Sequence, residues 1–137
     1  MNIVVKHTIS MGHRLQSYKG ICSSLHGHNV VVEAHFTSKD KFLDFKVLHE
    51  HLKAVLDDFD HAMVLEENDP IVAALAPFSI RTVLLSHEPT TENIAAYVLN
   101  SLLHVLPETF AVKVRETEKY YASTSTKDTY TDVRRVD

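Results

Sequence analysis

Apolar and polar residues alternate with a period of two in two stretches near the start of the chain, Asn2 to Ile9 and His28 to Thr37. Both are rich in Val, Ile, Phe and Thr, and this pattern predicts a pair of antiparallel strands joined by a loop over 14–25. The period then changes. Phe45, Leu48, Leu52, Val55, Leu56 and Phe59 recur at helical spacing behind Asp44, a good N-cap residue, so an amphipathic helix is expected there. A less regular stretch runs from Glu66 to Pro89, with a short helix over 71–75 and a short strand over 82–85. Thr90 or Thr91 caps a second main helix, in which Ile94, Val98, Leu102 and Val105 form the apolar stripe before Pro107 stops it. Alternation returns over Phe110 to Glu116 and Tyr120 to Ser125 and predicts a closing strand pair. The expected class is α+β, with an antiparallel sheet, two main helices on one face and the order ββααββ.

Composition narrows the function. A chain of 137 residues, 45% hydrophobic, with three glycines, four prolines and no repeat, reads as a single domain over 1–137. Its net charge of -4 without a basic run argues against nucleic acid or an anionic membrane as the main partner, and favours a small-molecule substrate. One cysteine makes no internal disulfide. With neither a leader nor a long apolar run in view, a reducing cytoplasm is the expected setting. The polar end from Tyr130 to Asp137 is expected to be exposed.

That lone cysteine, Cys22, stands four residues before His26-Gly27-His28. Strand side chains two apart point the same way, so His26 and His28 present both imidazoles to one side, and Gly27 leaves room on the other for a neighbouring backbone. Nitrogen ligands of this kind suit zinc, which in catalytic sites takes three protein ligands and keeps one position open. His13 is the best third ligand, because Ile3, Val5, His7, Ile9, Met11 and His13 share one parity. With ten histidines in the chain, some are ordinary surface or core residues.

Two acids raise further questions. Glu116 has the parity of Val112 and Val114, which places a carboxylate on a buried face where a ligand donating two hydrogen bonds, such as a guanine-like or pterin ring, would compensate it. The alternative is that the strand has ended and Glu116 is solvated beside Lys119. Asp60, at the end of the first helix, either orients His61 as a proton-transfer group or belongs to a solvated cluster with Asp57 and Asp58.

In this order, His13-Arg14-Leu15, Cys22 with His26-Gly27-His28, Asp44-Phe45, Asp60-His61, Pro89-Thr90-Thr91-Glu92-Asn93 and Glu116-Thr117 resemble the motifs of the 6-pyruvoyltetrahydropterin synthase and 6-carboxytetrahydropterin synthase family, which has the T-fold. The resemblance covers about Ser10 to Tyr121. It implies His13, His26 and His28 as zinc ligands, Cys22 as catalytic thiol and Asp60 with His61 as proton relay. Glu116 matches the pterin-anchoring acid, also assigned to the relay, and Thr90 and Thr91 match positions that contact the pterin ring. Three residues between the cysteine and the His-Gly-His are typical of the queuosine-pathway branch. The implied reaction converts 7,8-dihydroneopterin triphosphate to 6-carboxy-5,6,7,8-tetrahydropterin, acetaldehyde and triphosphate. The implied assembly is a homohexamer of two stacked trimers, an oligomeric barrel with active sites between subunits. Rival readings are a 6-pyruvoyl-forming or related side-chain lyase, and a non-catalytic zinc or pterin module with Cys22 as fourth metal ligand. The chain departs from close relatives in its long stretch from Ala62 to Thr90, which is expected to reshape the pocket or a subunit contact.

Overall fold

The structure is a computed structural model that describes residues 1–128. The terminal stretch expected to be exposed, Tyr130 to Asp137, lies outside the described residues. In chain order the elements are β1 (Asn2–His13), β2 (His26–Thr37), α1 (Phe45–Leu56), β3 (Ala62–Glu66), α2 (Ile71–Leu75), β4 (Thr82–Leu85), α3 (Thr91–Leu103), β5 (Thr109–Arg115) and β6 (Tyr121–Ser125). They build a six-stranded sheet in the order β4-β3-β1-β2-β5-β6.

The α+β class expected from the pattern is the one found, and β1, β2, β5 and β6 pair antiparallel as predicted. The expected order ββααββ is incomplete. β3 and β4 extend the free edge of β1, and both pairings there are parallel, so the sheet is mixed. A parallel neighbour needs a crossover: β2 and α1 carry the chain from β1 to β3, and the segment with α2 carries it from β3 to β4. β3 escaped the periodicity because it has only five residues and follows the end of α1 closely.

One face of the sheet is covered. Val5, Ile9 and Met11 of β1, Val30, Val32, Ala34 and Phe36 of β2, and Val112 and Val114 of β5 alternate onto it, and α1 and α3 pack against them. Leu48, Leu52 and Leu56 form the buried stripe of α1, whose N-cap Asp44 accepts a hydrogen bond from Lys46 N–H. Phe45, assigned to that stripe by spacing, is exposed instead, because it opens the helix before the helix meets the sheet. α3 buries Ile94, Val98 and Leu102 but ends at Leu103, which leaves Val105 exposed beyond it. No helix among the described residues is long and apolar enough to cross a membrane.

Both N-terminal strands run further than predicted. β1 continues to His13 and β2 begins at His26, so the pairing ends with Met11 opposite His28, Gly12 opposite Gly27 and His13 opposite His26. This register brings three histidines to one end of the strand pair.

Candidate active site and metal centre

Directly opposed residues of an antiparallel pair share a face, so the register turns His13 and His26 toward the same side, with His28 one step along opposite Met11. That side is the helix-bearing one, because Ile9 and Met11 share it. The three rings gather there with centroids 4.6, 5.3 and 5.1 Å apart. Gly27 permits this approach: a Cβ in its place would stand 3.0 Å from the Met11 carbonyl oxygen.

Two of the rings have their tautomers fixed by backbone carbonyls, which only accept. His13 Nδ1 donates to Pro89 O at 2.8 Å and His26 Nδ1 to Ser24 O at 2.7 Å, so Nε2 of each carries the free lone pair. The Nε2 atoms of His13 and His28 are buried without a hydrogen-bond partner. Burial, aided by the neighbouring His13 and His26 rings, outweighs the Glu116 charge and holds His28 below the usual imidazole range, which favours the neutral, ligating form.

Glu116 completes the group. β5 ends at Arg115, yet the Glu116 side chain turns inward, with Oε1 3.2 Å from both His13 Nε2 and His28 Nε2. This corrects the solvated alternative, in which Glu116 paired with Lys119. One ligand atom from each of His13, His26, His28 and Glu116 lies within 4.8 Å of all the others. Two ligand atoms about 2.0–2.1 Å from a tetrahedral zinc stand roughly 3.3 Å apart, so the 3.2 Å contacts have ligand-pair spacing. Three imidazoles, two of them with buried Nε2 atoms, and an adjoining carboxylate fit a zinc-type cation.

Cys22 is not part of that group. It sits half-buried in a 3-10 turn, Ile21–Ser23, inside the β1–β2 loop. Asp60 and His61 are tied to the backbone of β1 at Ser10. Asp60 Oδ1 accepts from Ser10 N–H and from His61 Nδ1, each at 3.0 Å, which leaves His61 Nε2 pointing outward. The Ser10 N–H bond, with the His61 contact, holds the Asp60 carboxyl below its ordinary value although burial opposes this. His61 has φ 58 and a side chain 79% exposed. With Ser10, Gly12 and Asn29 it lines a cleft of about 580 Å³ that His26 and His28 also border.

Thr90 and Thr91 are buried at the start of α3, directly after the Pro89 that holds His13. Thr90 Oγ1 accepts from Asn93 N–H as the helix cap. Pattern reading missed the groups that orient the ligands, the Pro89 and Ser24 carbonyls, since any residue offers a carbonyl. It also gave no role to Arg14, Asp69 or Glu88; the one hint was the turn-like Asn68-Asp69-Pro70.

The family model described as 6-pyruvoyl tetrahydropterin synthase matches residues 2–127. The chain belongs to that family. It is 37% identical over 114 residues to a protein of Halobacterium salinarum named probable 6-carboxy-5,6,7,8-tetrahydropterin synthase, covering 80% of this chain and 76% of the relative. Among solved structures, an uncharacterized protein of Wolinella succinogenes superposes with a TM-score of 0.81 at 21% identity, covering 93% of this chain and 98% of that one. The 6-pyruvoyl tetrahydropterin synthase of Caenorhabditis elegans gives 0.68 at 22%, covering 93% and 96%. These two establish the shared fold. Family membership makes the chain an enzyme of the pterin side-chain lyase type.

Proposed function

We propose that the protein is a zinc-dependent lyase that converts 7,8-dihydroneopterin triphosphate and water to 6-carboxy-5,6,7,8-tetrahydropterin, acetaldehyde and triphosphate, on the route to queuosine. The observation that carries the reading is the gathering of three imidazoles, two of them with buried Nε2 atoms that face the Glu116 carboxylate, in a chain of this family. The branch rests on the three residues between Cys22 and His26 and on the names of the curated relatives.

His13, His26 and His28 would hold the zinc. When bound, zinc acidifies the hydroxyls of the substrate side chain and stabilises the negative charge left by proton removal. Cys22 takes the proton as base. His61, kept in one tautomer by Asp60, returns a proton as triphosphate leaves and the carbon-carbon bond breaks. Glu116 anchors the pterin ring through its amino and ring N–H groups, and Thr90 and Thr91 border the ring. The Glu116 contacts with His13 and His28 support an anchor beside the metal ligands.

The His61 side chain of the dyad is largely exposed. A homohexamer of two trimers would bring the exposed dyad of one subunit to the ligands of another. It would also cover the open edges of β4 and β6, where Leu84 and Tyr121 are exposed. With its free thiol the enzyme belongs in a reducing cytoplasm.

The test is incubation of purified protein with dihydroneopterin triphosphate and mass spectrometry of the products. Acetaldehyde with a carboxylated pterin is the expected outcome. A pyruvoyl pterin would move the chain to the sister activity, and unchanged substrate with zinc bound would favour a binding module.

A further inference from the structure

The stretch from Glu66 to Glu88 carries three nearly fully buried carboxylates: Glu66 is 2% exposed, Asp69 3% and Glu88 0%. A buried carboxylate is costly unless paired. All three are tied to one place, residues 14–17 at the start of the β1–β2 loop. Glu66 Oε2 accepts from Gln16 Nε2 at 2.7 Å, and Glu88 Oε1 accepts from both the N–H and the hydroxyl of Ser17 at 2.7 Å. Asp69 takes the Arg14 guanidinium in a two-pronged pair, with Nε to Oδ2 at 2.7 Å and Nη2 to Oδ1 at 2.9 Å.

Residues 14–17 in turn grip the Cys22 turn. Leu15 N–H donates to the Cys22 carbonyl at 2.8 Å, and the remaining arm of Arg14, Nη1, reaches the Ser23 carbonyl at 3.3 Å. The guanidinium therefore spans two partners, an acid on the long stretch and the peptide that follows Cys22. Asp69 is itself fixed, since its Oδ1 also accepts from Ile71 N–H at 3.0 Å at the start of α2.

From these contacts we infer that Asp69, acting through Arg14, is a positioning residue that sets the Cys22 turn against the metal ligands. The long stretch from Ala62 to Thr90 then serves as a strap over the loop that carries the thiol. Arg suits this position and Lys does not, because only a planar fork meets a carboxylate with two parallel bonds and keeps a third donor for a carbonyl. The inference rests on the proposed role of Cys22, but its test does not depend on that reaction alone.

Cys22 is the chain's one cysteine, so alkylation by iodoacetamide reports this thiol and no other. In full-length, zinc-loaded Asp69→Asn, zinc per chain and oligomer mass are expected to match the wild type, while the Cys22 alkylation rate shifts by about threefold or more. With dihydroneopterin triphosphate, kcat falls about 10- to 100-fold and KM stays within about threefold, the pattern of a displaced reacting group. Asp69→Glu, which keeps the charge, recovers part of the rate. Where Asp69→Asn fails to fold, Arg14→Lys serves, with the same direction of change expected. Wild-type alkylation in the variant, or altered alkylation with kcat unchanged, would overturn the inference. If the wild-type enzyme does not turn over this substrate, the proposed activity falls and the alkylation rates alone decide the strap.

Discussion

A histidine becomes a ligand when one ring nitrogen is spoken for and the other is left facing its neighbours. His13 and His26 meet this condition through the Pro89 and Ser24 carbonyls, and for His28 burial favours the neutral form. The parity of β1 and β2 made the three candidates readable in the sequence, and Gly27 marked the close approach. The carbonyls that hold the rings were not readable, because they belong to the backbone of loops, where any residue type would serve. His13→Ala is expected to lose most bound zinc, measured as metal per chain after dialysis, whereas Cys22→Ala keeps the zinc and loses turnover; zinc lost from Cys22→Ala would mark the thiol as a ligand. Asp60→Asn removes the charge that supports His61 as a proton-transfer group and is expected to lower kcat about 10²- to 10⁴-fold with zinc retained, and an unchanged kcat would remove the dyad from the reaction.

Each element's contribution follows from what it buries and what it carries. Leu52 in α1 is fully buried against the sheet, so Leu52→Ala is expected to cost about 2–5 kcal/mol in denaturant unfolding without moving the zinc ligands. The short elements α2 and β4 were legible from their patterns, and α1 and α3 from period and caps. β3 was hidden by its length, and with it the parallel edge of the sheet. The strap also has a pH signature. Burial raises the Asp69 carboxyl, but the Arg14 fork and the Ile71 N–H more than offset this and hold it below its ordinary value. A lowered folded value means that the stabilisation is present above the ordinary carboxylate range and is lost as pH falls through the folded value. The stability gap between wild type and Asp69→Asn is therefore expected to be full at neutral pH and to shrink below about pH 4. A gap independent of pH would show that the charge of Asp69 is not what stabilises the loop.

At the scale of the molecule, the histidine cluster and the Asp60-His61 dyad are set on the same strand pair, and His61 borders the cleft that His26 and His28 also line. The proposed hexamer draws the dyad of a site from a second copy. Mixing unfolded Cys22→Ala and His61→Ala chains and refolding them together is expected to restore activity to about a quarter of the wild-type sites, since a site then draws one intact residue from each parent. Continued inactivity of the mixture, with hexamers formed, would place both residues in one chain's site. Central to the proposed mechanism is a zinc held by three imidazole nitrogens of this chain, with its open position left to solvent or substrate oxygen and the thiol unbound. X-ray absorption of the zinc-loaded wild type tests it most directly. The expected spectrum shows imidazole nitrogen and oxygen neighbours at about 2.0–2.1 Å and no sulfur, and a sulfur neighbour at about 2.3 Å, or zinc without imidazole, would contradict it.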